Sequence, residues 1–205
     1  MLKASAVILA GGSSSRLGQN KALVNLAGKP LICHVFEKVK DLVDEIIVVL
    51  SSRDQEIFIR KVLKGKIKIT VDQYNRRSPL IGAFSGLEAT TNEYTLLLPC
   101  DAPLISQGVL LFLIDVILNI DAVIPRWPNG YIEPLQAVYK TKAACEAARR
   151  ALNENFMSMH AMINLLRKVR YISTLVLEKI NPGLTTFFNV NTPEDLELAE
   201  LLLMT

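Results

Sequence analysis

A glycine- and serine-rich segment follows the first apolar run of the chain and carries two cations. It runs from Gly11 and Gly12 through Ser13 to Arg16 and Lys21. Glycine lets a backbone approach an anion closely, and successive free N–H groups can form an anion-binding nest. Arginine gives phosphate a planar, bidentate contact, and lysine gives it a compact point charge. The pattern predicts a phosphate-binding loop, with a plain Gly-Ser turn as the alternative.

This loop differs from the two common phosphate-binding signatures. The segment from Gly12 to Gly18 is not followed by Lys-Ser or Lys-Thr, so it is not a Walker A loop. No Gly-x-Gly-x-x-Gly occurs either, so the dinucleotide-binding fingerprint is absent.

An aspartate follows another predicted strand, within Pro99-Cys100-Asp101-Ala102-Pro103. Mg²⁺ is usually held by one or two carboxylates together with phosphate oxygens. Asp101 is therefore predicted to bind Mg²⁺ beside the phosphates. The alternative is that it caps a turn or the next helix.

Two further segments place polar or small residues where a ligand could contact them. Asp72 follows a predicted strand, and Gly82 lies where a turn enters a helix, so that a flat base could approach. Asn189 and Asn191 precede a strong helix start at Thr192. Their spacing of two puts both carboxamides on one side of an extended segment. Helix capping could explain Asn191 but does not need Asn189.

The elements that must position these residues alternate between short apolar runs and segments of helical period. The predicted strands are Ala6–Ala10, Glu45–Leu50, Ile67–Val71, Tyr94–Leu98, Ala122–Ile124, Leu135–Tyr139 and Tyr171–Val176. The predicted helices are Leu31–Val43, Asp54–Leu63 (capped by Asp54), Ala83–Thr90, Ser106–Leu118, Thr141–Leu152, Ser158–Val169 and one from Pro193. This order predicts an α/β, Rossmann-like fold: a mainly parallel central sheet with helices on both faces. Ligands of such sheets bind at the carboxyl ends of the strands.

Composition narrows the class of protein. The chain has 205 residues, half of them apolar, and a net charge of +3 from 23 basic and 20 acidic residues. This excludes a disordered chain and disfavours nucleic-acid or membrane-surface partners. Three widely spaced cysteines without a Cys-x-x-Cys disfavour a zinc ribbon or a disulfide framework. We expect one domain over residues 1–205, in the cytoplasm, without a transmembrane helix.

These motifs together resemble a known family. LAGGSSSRLGQNKAL, starting at Leu9, resembles the LAGG-x-S-x-R-x-G-x-x-K signature of sugar-nucleotide-like nucleotidyltransferases, and PCDAP resembles their metal aspartate motif. EPLQAVY at Glu133–Tyr139 and NVNTPEDL at Asn189–Leu196 narrow the resemblance to the molybdenum cofactor guanylyltransferases. It extends from about Ala6 to Leu196. It implies transfer of GMP from GTP to the phosphate of molybdopterin, with release of pyrophosphate.

The resemblance also implies a role for each matching position. Arg16, Lys21 and Asp101 would be catalytic, with Mg²⁺ as the cofactor at Asp101. The nucleotide-binding residues would be Leu9, Ala10, Gly11, Gly12, Ser13, Arg16, Lys21, Asp72, Gly82 and Asp101. The acceptor-binding residues would be Glu133, Pro134, Gln136, Tyr139, Asn189 and Asn191. The implied partners are GTP and molybdopterin, with transient contact with other cofactor-biosynthesis proteins or an apo-molybdoenzyme.

The chemistry agrees with this assignment, since a substrate phosphate is already a nucleophile and no Ser-His-Asp triad is needed. Positioning and electrostatic stabilisation should dominate such a transfer. Three alternatives stay open at this point. They are guanylyl transfer to another phosphate, such as a cobamide precursor, cytidylyl transfer to molybdopterin, and a non-catalytic nucleotide-binding module. LAGG rather than LAAG favours GTP over CTP by resemblance.

Overall fold

Seven strands form the central sheet in the part of the chain that the structure describes. In a computed structural model, the structure describes residues 3–14, 19–72, 76 and 78–204. The strands are β1 (Ala4–Leu9), β2 (Glu45–Leu50), β3 (Lys68–Val71), β4 (Tyr94–Pro99), β5 (Ala122–Arg126), β6 (Ala137–Lys140) and β7 (Val169–Ser173). Their order across the sheet is β7-β5-β6-β4-β1-β2-β3. Strand β6 is antiparallel to both β4 and β5, and the other neighbours pair in parallel.

Eight α-helices accompany the sheet in the described part of the chain. They are α1 (Leu31–Val39), α2 (Asp54–Val62), α3 (Pro79–Ala89), α4 (Gln107–Asp115), α5 (Thr141–Asn153), α6 (Met159–Asn164), α7 (Thr174–Leu177) and α8 (Pro193–Leu203). Within this part of the chain, no helix combines the length and apolarity that crossing a bilayer requires.

Alternate residues of the central strands enter two separate hydrophobic cores. In β1, Ala6 and Ile8 pack with buried residues of α1, α2 and α4, whereas Val7 packs with those of α3, α5 and α6. Successive side chains of a strand point to opposite faces, so a continuously apolar strand is required when both faces are covered. The predicted mainly parallel sheet with helices on both faces is confirmed.

Some element boundaries differ from those predicted. The helix predicted to run to Val169 ends at Asn164, because residues from Val169 onward pair with β5 as strand β7. The strand predicted to reach Val176 ends at Ser173, whose hydroxyl accepts the N–H of Leu175 and caps α7.

Two further helices also differ from those predicted. Helix α1 stops at Val39, four residues earlier than predicted. Asp54 is the first residue of α2 and not its cap; Arg53 precedes the helix without a side-chain capping bond.

Candidate active site

A cleft of about 600 Å³ opens at the carboxyl edge of β1, β2 and β4. Backbone hydrogen bonds continue past the strand ends and fix the chain there. The N–H of Ala10 donates to Val49 O at 2.8 Å, and the N–H of Asp72 donates to Leu50 O at 2.8 Å. The cleft is lined by Leu9, Gly11, Gly12, Lys21, Val49, Leu50, Ser51, Asp72, Ser78, Pro79, Gly82, Pro99, Cys100, Asp101, Leu135 and Asn191.

Gly11 lies against the first residue after β2. A Cβ at this position would stand 3.1 Å from Ser51 N and 3.3 Å from Ser51 Cβ. The absence of a side chain therefore lets the loop after β1 approach the loop after β2. The Ser51 hydroxyl donates to Gln55 Oε1 at 3.3 Å, and its N–H donates to the same atom at 3.1 Å. Both loops are thereby held at the wall of the cleft.

Lys21, Asp101 and Asn191 form a charged cluster in this cleft. The Lys21 ammonium forms an ion pair with Asp101 and donates to Asn191 Oδ1 at 2.6 Å. The side chains of Lys21 and Asp101 are 13% and 19% exposed. Lys21 begins a short 3-10 helix, whose cap, Asn20, accepts the N–H of Ala22 at 3.1 Å. Partial removal from water strengthens such charge-assisted bonds.

The loop before α8 is fastened to the end of β4. The N–H of Val190 donates to Asp101 O at 2.8 Å. Asp195 Oδ2 accepts the N–H groups of Asn191 and Thr192 at 2.8 and 2.9 Å, within a capping box with Thr192. Burial opposes ionisation of Asp195, but these hydrogen bonds hold the pKa of its carboxyl below the ordinary value. Thr192 is confirmed as the N-cap and Pro193 as the first helical residue.

A second cavity of about 200 Å³ adjoins the cleft. It shares Pro99, Asp101, Leu135 and Asn191 with the cleft. Its remaining lining residues are Glu133, Pro134, Gln136 and Asn189. The charged cluster therefore stands at the junction of two cavities, as a transfer between two substrates requires.

Two polar side chains of the second cavity are fixed by hydrogen bonds to residues that do not line it. Trp127 Nε1 donates to Glu133 Oε1 at 2.7 Å, and burial raises the pKa of Glu133 even though this bond opposes the change. The buried Gln136 donates through Nε2 to Thr186 O at 2.6 Å. Asn189 Oδ1 is buried and has no hydrogen-bond partner in the described part of the chain.

Most predicted nucleotide residues line the larger cleft, but not all of them. Leu9, Gly11, Gly12, Lys21, Asp72, Gly82 and Asp101 do so. Ala10 is fully buried and lines neither cavity. Arg16 and the side chain of Ser13 lie outside the described residues, so their roles stay predictions.

Tyr139 is the predicted acceptor residue that the structure keeps away from both cavities. It is fully buried in β6, and its hydroxyl donates to Pro134 O at 2.8 Å. Tyr139 therefore supports the wall of the second cavity from inside the core. Glu133, Pro134, Gln136, Asn189 and Asn191 all line that cavity.

Several residues that line the cleft are not among the predicted site residues, including Ser51, Ser78 and Leu135. Ser51 could have been found, because it follows the predicted strand Glu45–Leu50 directly and strand ends mark ligand sites. Leu135 lies within the EPLQAVY motif, but its ordinary apolar side chain does not by itself indicate a ligand contact.

Asp101 and Asn191 are two neighbouring oxygen donors of this cleft that could hold a metal. In the described residues, no group of three or more His, Cys, Asp and Glu side chains could bind a metal ion alone. Mg²⁺ does not need such a group when phosphates supply most of its ligands. One carboxylate with a neighbouring amide oxygen therefore fits Mg²⁺ carried by a nucleotide.

Comparisons with known proteins agree with this geometry. The model of the MobA-like NTP transferase domain matches residues 6–169. A molybdenum cofactor guanylyltransferase of Desulfosudis oleivorans is 36% identical, over 95% of this chain and 93% of the relative. A probable molybdenum cofactor guanylyltransferase of Natranaerobius thermophilus is 35% identical, over 95% and 94%.

Solved structures extend the agreement to the fold. The molybdopterin-guanine dinucleotide biosynthesis protein A of Archaeoglobus fulgidus superposes with a TM-score of 0.83 at 27% identity, covering 98% of both chains. A 4-diphosphocytidyl-2C-methyl-D-erythritol synthase from Anaerococcus prevotii has a TM-score of 0.77 at 18% identity, covering 100% of this chain and 97% of that one, and shares the fold. The chain thus belongs to the family of MobA-like NTP transferases that includes the molybdenum cofactor guanylyltransferases.

Proposed function

We propose that this protein transfers GMP from GTP to the phosphate of molybdopterin, forming molybdopterin guanine dinucleotide and pyrophosphate. The observation that carries the proposal is the Lys21–Asp101–Asn191 cluster at the junction of two cavities. The names of relatives that align over nearly the whole chain supply the two substrates.

The nucleotide occupies the larger cleft in this proposal. Apolar side chains of β1 and β2, including Leu9 and Val49, lie where a base could pack, and Gly12 and Lys21 lie toward the phosphates. The Lys21 ammonium stabilises negative charge on the transferring phosphate and on the leaving pyrophosphate. Asp101 holds Mg²⁺, which when bound neutralises phosphate charge. An acceptor phosphate attacks the α-phosphorus, and the bond to pyrophosphate breaks.

The acceptor occupies the smaller cavity. Asn189 Oδ1 has no hydrogen-bond partner among the residues that the structure describes. It can accept a hydrogen bond from a pterin N–H, which would offset the cost of burying that oxygen. Glu133 provides a partly buried carboxyl fixed by Trp127. A pterin ring offers several donors and acceptors, so these two groups can orient it toward Asp101.

The activity is tested by incubating the protein with molybdopterin, Mg²⁺ and either GTP or CTP. We expect pyrophosphate and a guanine dinucleotide product from GTP, and little product from CTP. Omitting molybdopterin should abolish pyrophosphate release. Turnover with CTP alone would indicate cytidylyl transfer. If the protein uses GTP with a cobamide-type phosphate and not with molybdopterin, that phosphate is the acceptor and the molybdopterin assignment is wrong.

The acceptor assignment is tested by paired titrations of Asn189→Ala. We expect weaker molybdopterin binding and GTP affinity near that of the wild type, because Asn189 lines the second cavity and not the first. Asn164→Ala, at an exposed position at the end of α6, is the matched control. A loss of GTP affinity with unchanged molybdopterin affinity would contradict the assignment.

We further propose Mg²⁺ as the cofactor and the cytoplasm as the location. One domain over residues 1–205 and transient contact with other cofactor-biosynthesis proteins or an apo-molybdoenzyme stay predictions.

A further inference from the structure

The ammonium of Lys21 lies between two oxygens that could otherwise bind a metal ion. It contacts a carboxylate oxygen of Asp101 and the amide oxygen of Asn191. Carboxylate and amide oxygens are ligands that divalent cations accept in proteins. Lys21 therefore occupies a position suited to a cation, and its own charge satisfies Asp101.

Several contacts keep the ammonium there. Its side chain is 13% exposed and that of Asp101 is 19% exposed, so water screens their attraction only in part. Asn191 is fixed by the bond from its N–H to Asp195, and the Asp101 backbone is fixed by the bond from Val190. These bonds fix the backbone that carries the two oxygens, and the Asn191 side chain also donates through Nδ2 to Asn189 O at 3.4 Å. A divalent ion that approaches Asp101 must displace the ammonium.

We propose that Lys21 is a placeholder for the divalent ion. While no nucleotide is bound, its ammonium holds the Asp101 carboxylate and keeps a free metal ion out. A triphosphate in the adjoining cleft supplies a stronger set of negative charges, draws the ammonium to itself and leaves Asp101 to the metal. The metal then enters with the nucleotide and not before it. This inference rests on the proposed role of Asp101 in the proposed function.

The test measures binding of Mn²⁺ alone, by electron paramagnetic resonance, to protein without nucleotide. Lys21→Met keeps most of the aliphatic side chain and removes the charge. We expect it to bind Mn²⁺ about tenfold or more tightly than the wild type, because a repelling charge next to the ion is gone. Lys29→Met, at an exposed lysine paired with Glu37, should bind Mn²⁺ like the wild type.

Two further variants locate the effect. Lys21→Gln can still donate a hydrogen bond to Asp101 but lacks the positive charge, so it should show the same increase in Mn²⁺ affinity. It serves as the test if Lys21→Met does not fold. Combining Lys21→Met with Asp101→Asn should remove the gain. The proposal is overturned if the folded Lys21 variants bind Mn²⁺ within twofold of the wild type, or if the gain survives without the carboxylate.

The transferase assay on the same wild-type preparation separates this inference from the proposed function. If the wild type transfers GMP from GTP but the Lys21 variants bind Mn²⁺ like the wild type, only the proposal that Lys21 is a placeholder is overturned. A gain in Mn²⁺ binding without any transfer by the wild type would overturn the proposed function alone.

Discussion

Asp101 contributes a charge to the site that can be removed at nearly constant volume. Asp101→Asn should lower turnover on the order of 100-fold or more, because it weakens metal binding where phosphate charge must be stabilised. The stability loss should stay within about 1–2 kcal/mol, because the amide oxygen can still accept a hydrogen bond from Lys21. Pyrophosphate release and thermal melting measure the two effects. Glu37→Gln, which removes an exposed carboxylate, is the control. Asp101→Asn with more than half of the wild-type turnover would contradict the prediction.

Residue types predicted the charged part of the site better than its walls. Lys21, Asp101 and Asn191 are unusual at strand ends or before a capped helix, and the structure brings all three together. Tyr139 shows where prediction from residue type fails, because the sequence alone does not tell whether this last residue of the EPLQAVY motif faces a ligand or the core. Strand β6 is covered on both faces, so neither orientation of its side chain reaches a cavity.

Glu45 joins three elements at the amino end of β2. Its carboxylate accepts hydrogen bonds from Ser5 at 2.7 Å, from the N–H of Thr91 at 3.0 Å, and from Lys68. Burial alone would raise the pKa of Glu45, but these bonds outweigh it and lower the pKa to about 2. The carboxylate therefore stabilises the fold above its unfolded pKa near 4.5, and this contribution is lost as the pH falls toward 2.

Glu45→Gln should accordingly lower the free energy of unfolding at pH 7 by about 2–3 kcal/mol. The difference from the wild type should shrink below pH 4.5 and become small near pH 2, where about half of the wild-type carboxyl is protonated in the folded state. Urea unfolding at a series of pH values measures it. A difference that stays constant with pH would show that the lost contacts do not depend on the charge.

Two glycines one turn apart in α3 should respond differently to alanine. A Cβ at Gly86 would overlap Val7 Cγ1 in β1, whereas a Cβ at Gly82 would meet Leu9 Cδ2 at an ordinary 3.4 Å. Gly86→Ala should therefore cost about 1–3 kcal/mol of stability through overpacking. Gly82→Ala should be neutral or stabilising by up to about 1 kcal/mol, since alanine favours helix.

The substitutions Gly82→Ala and Gly86→Ala also distinguish an effect on core packing from an effect on nucleotide binding. Because Gly82 lines the larger cleft, its added methyl group should weaken nucleotide binding while the melting temperature holds or rises. Thermal melting with a parallel GTP titration measures both effects. Equal destabilisation by the two substitutions would contradict the close approach of α3 to β1 at Gly86.

Element type could be predicted from the sequence, but strand direction and several helix boundaries could not. Continuous apolar runs indicate strands of a sheet covered on both faces. Such a run carries no sign of its direction, so the antiparallel β6 emerges only from its pairing with β4 and β5. Likewise, Val169 has an apolar side chain suited to helix or strand, and its pairing with β5 decides the outcome.

Binding of the nucleotide should stabilise the whole molecule. At 100 times its dissociation constant, a ligand that binds only the folded state adds about 2.7 kcal/mol to the free energy of unfolding. We expect GTP with Mg²⁺ to raise the melting temperature more than CTP with Mg²⁺ at equal concentration. A larger shift with CTP would contradict the base preference.

The charged residues of the cleft come from distant parts of the chain. Their separation affects when a newly synthesised molecule can bind its substrates. Lys21 is 80 residues from Asp101 and 170 residues from Asn191. At a synthesis rate of about 5–20 residues per second, the 90 residues between positions 101 and 191 take roughly 5–20 s to emerge from the ribosome. During that interval, β1, β2 and β4 can pair and bring Lys21 to Asp101. The nascent chain can thus acquire most of its nucleotide cleft first, and both the cleft and the acceptor cavity are completed when residues 189–195 dock onto the end of β4.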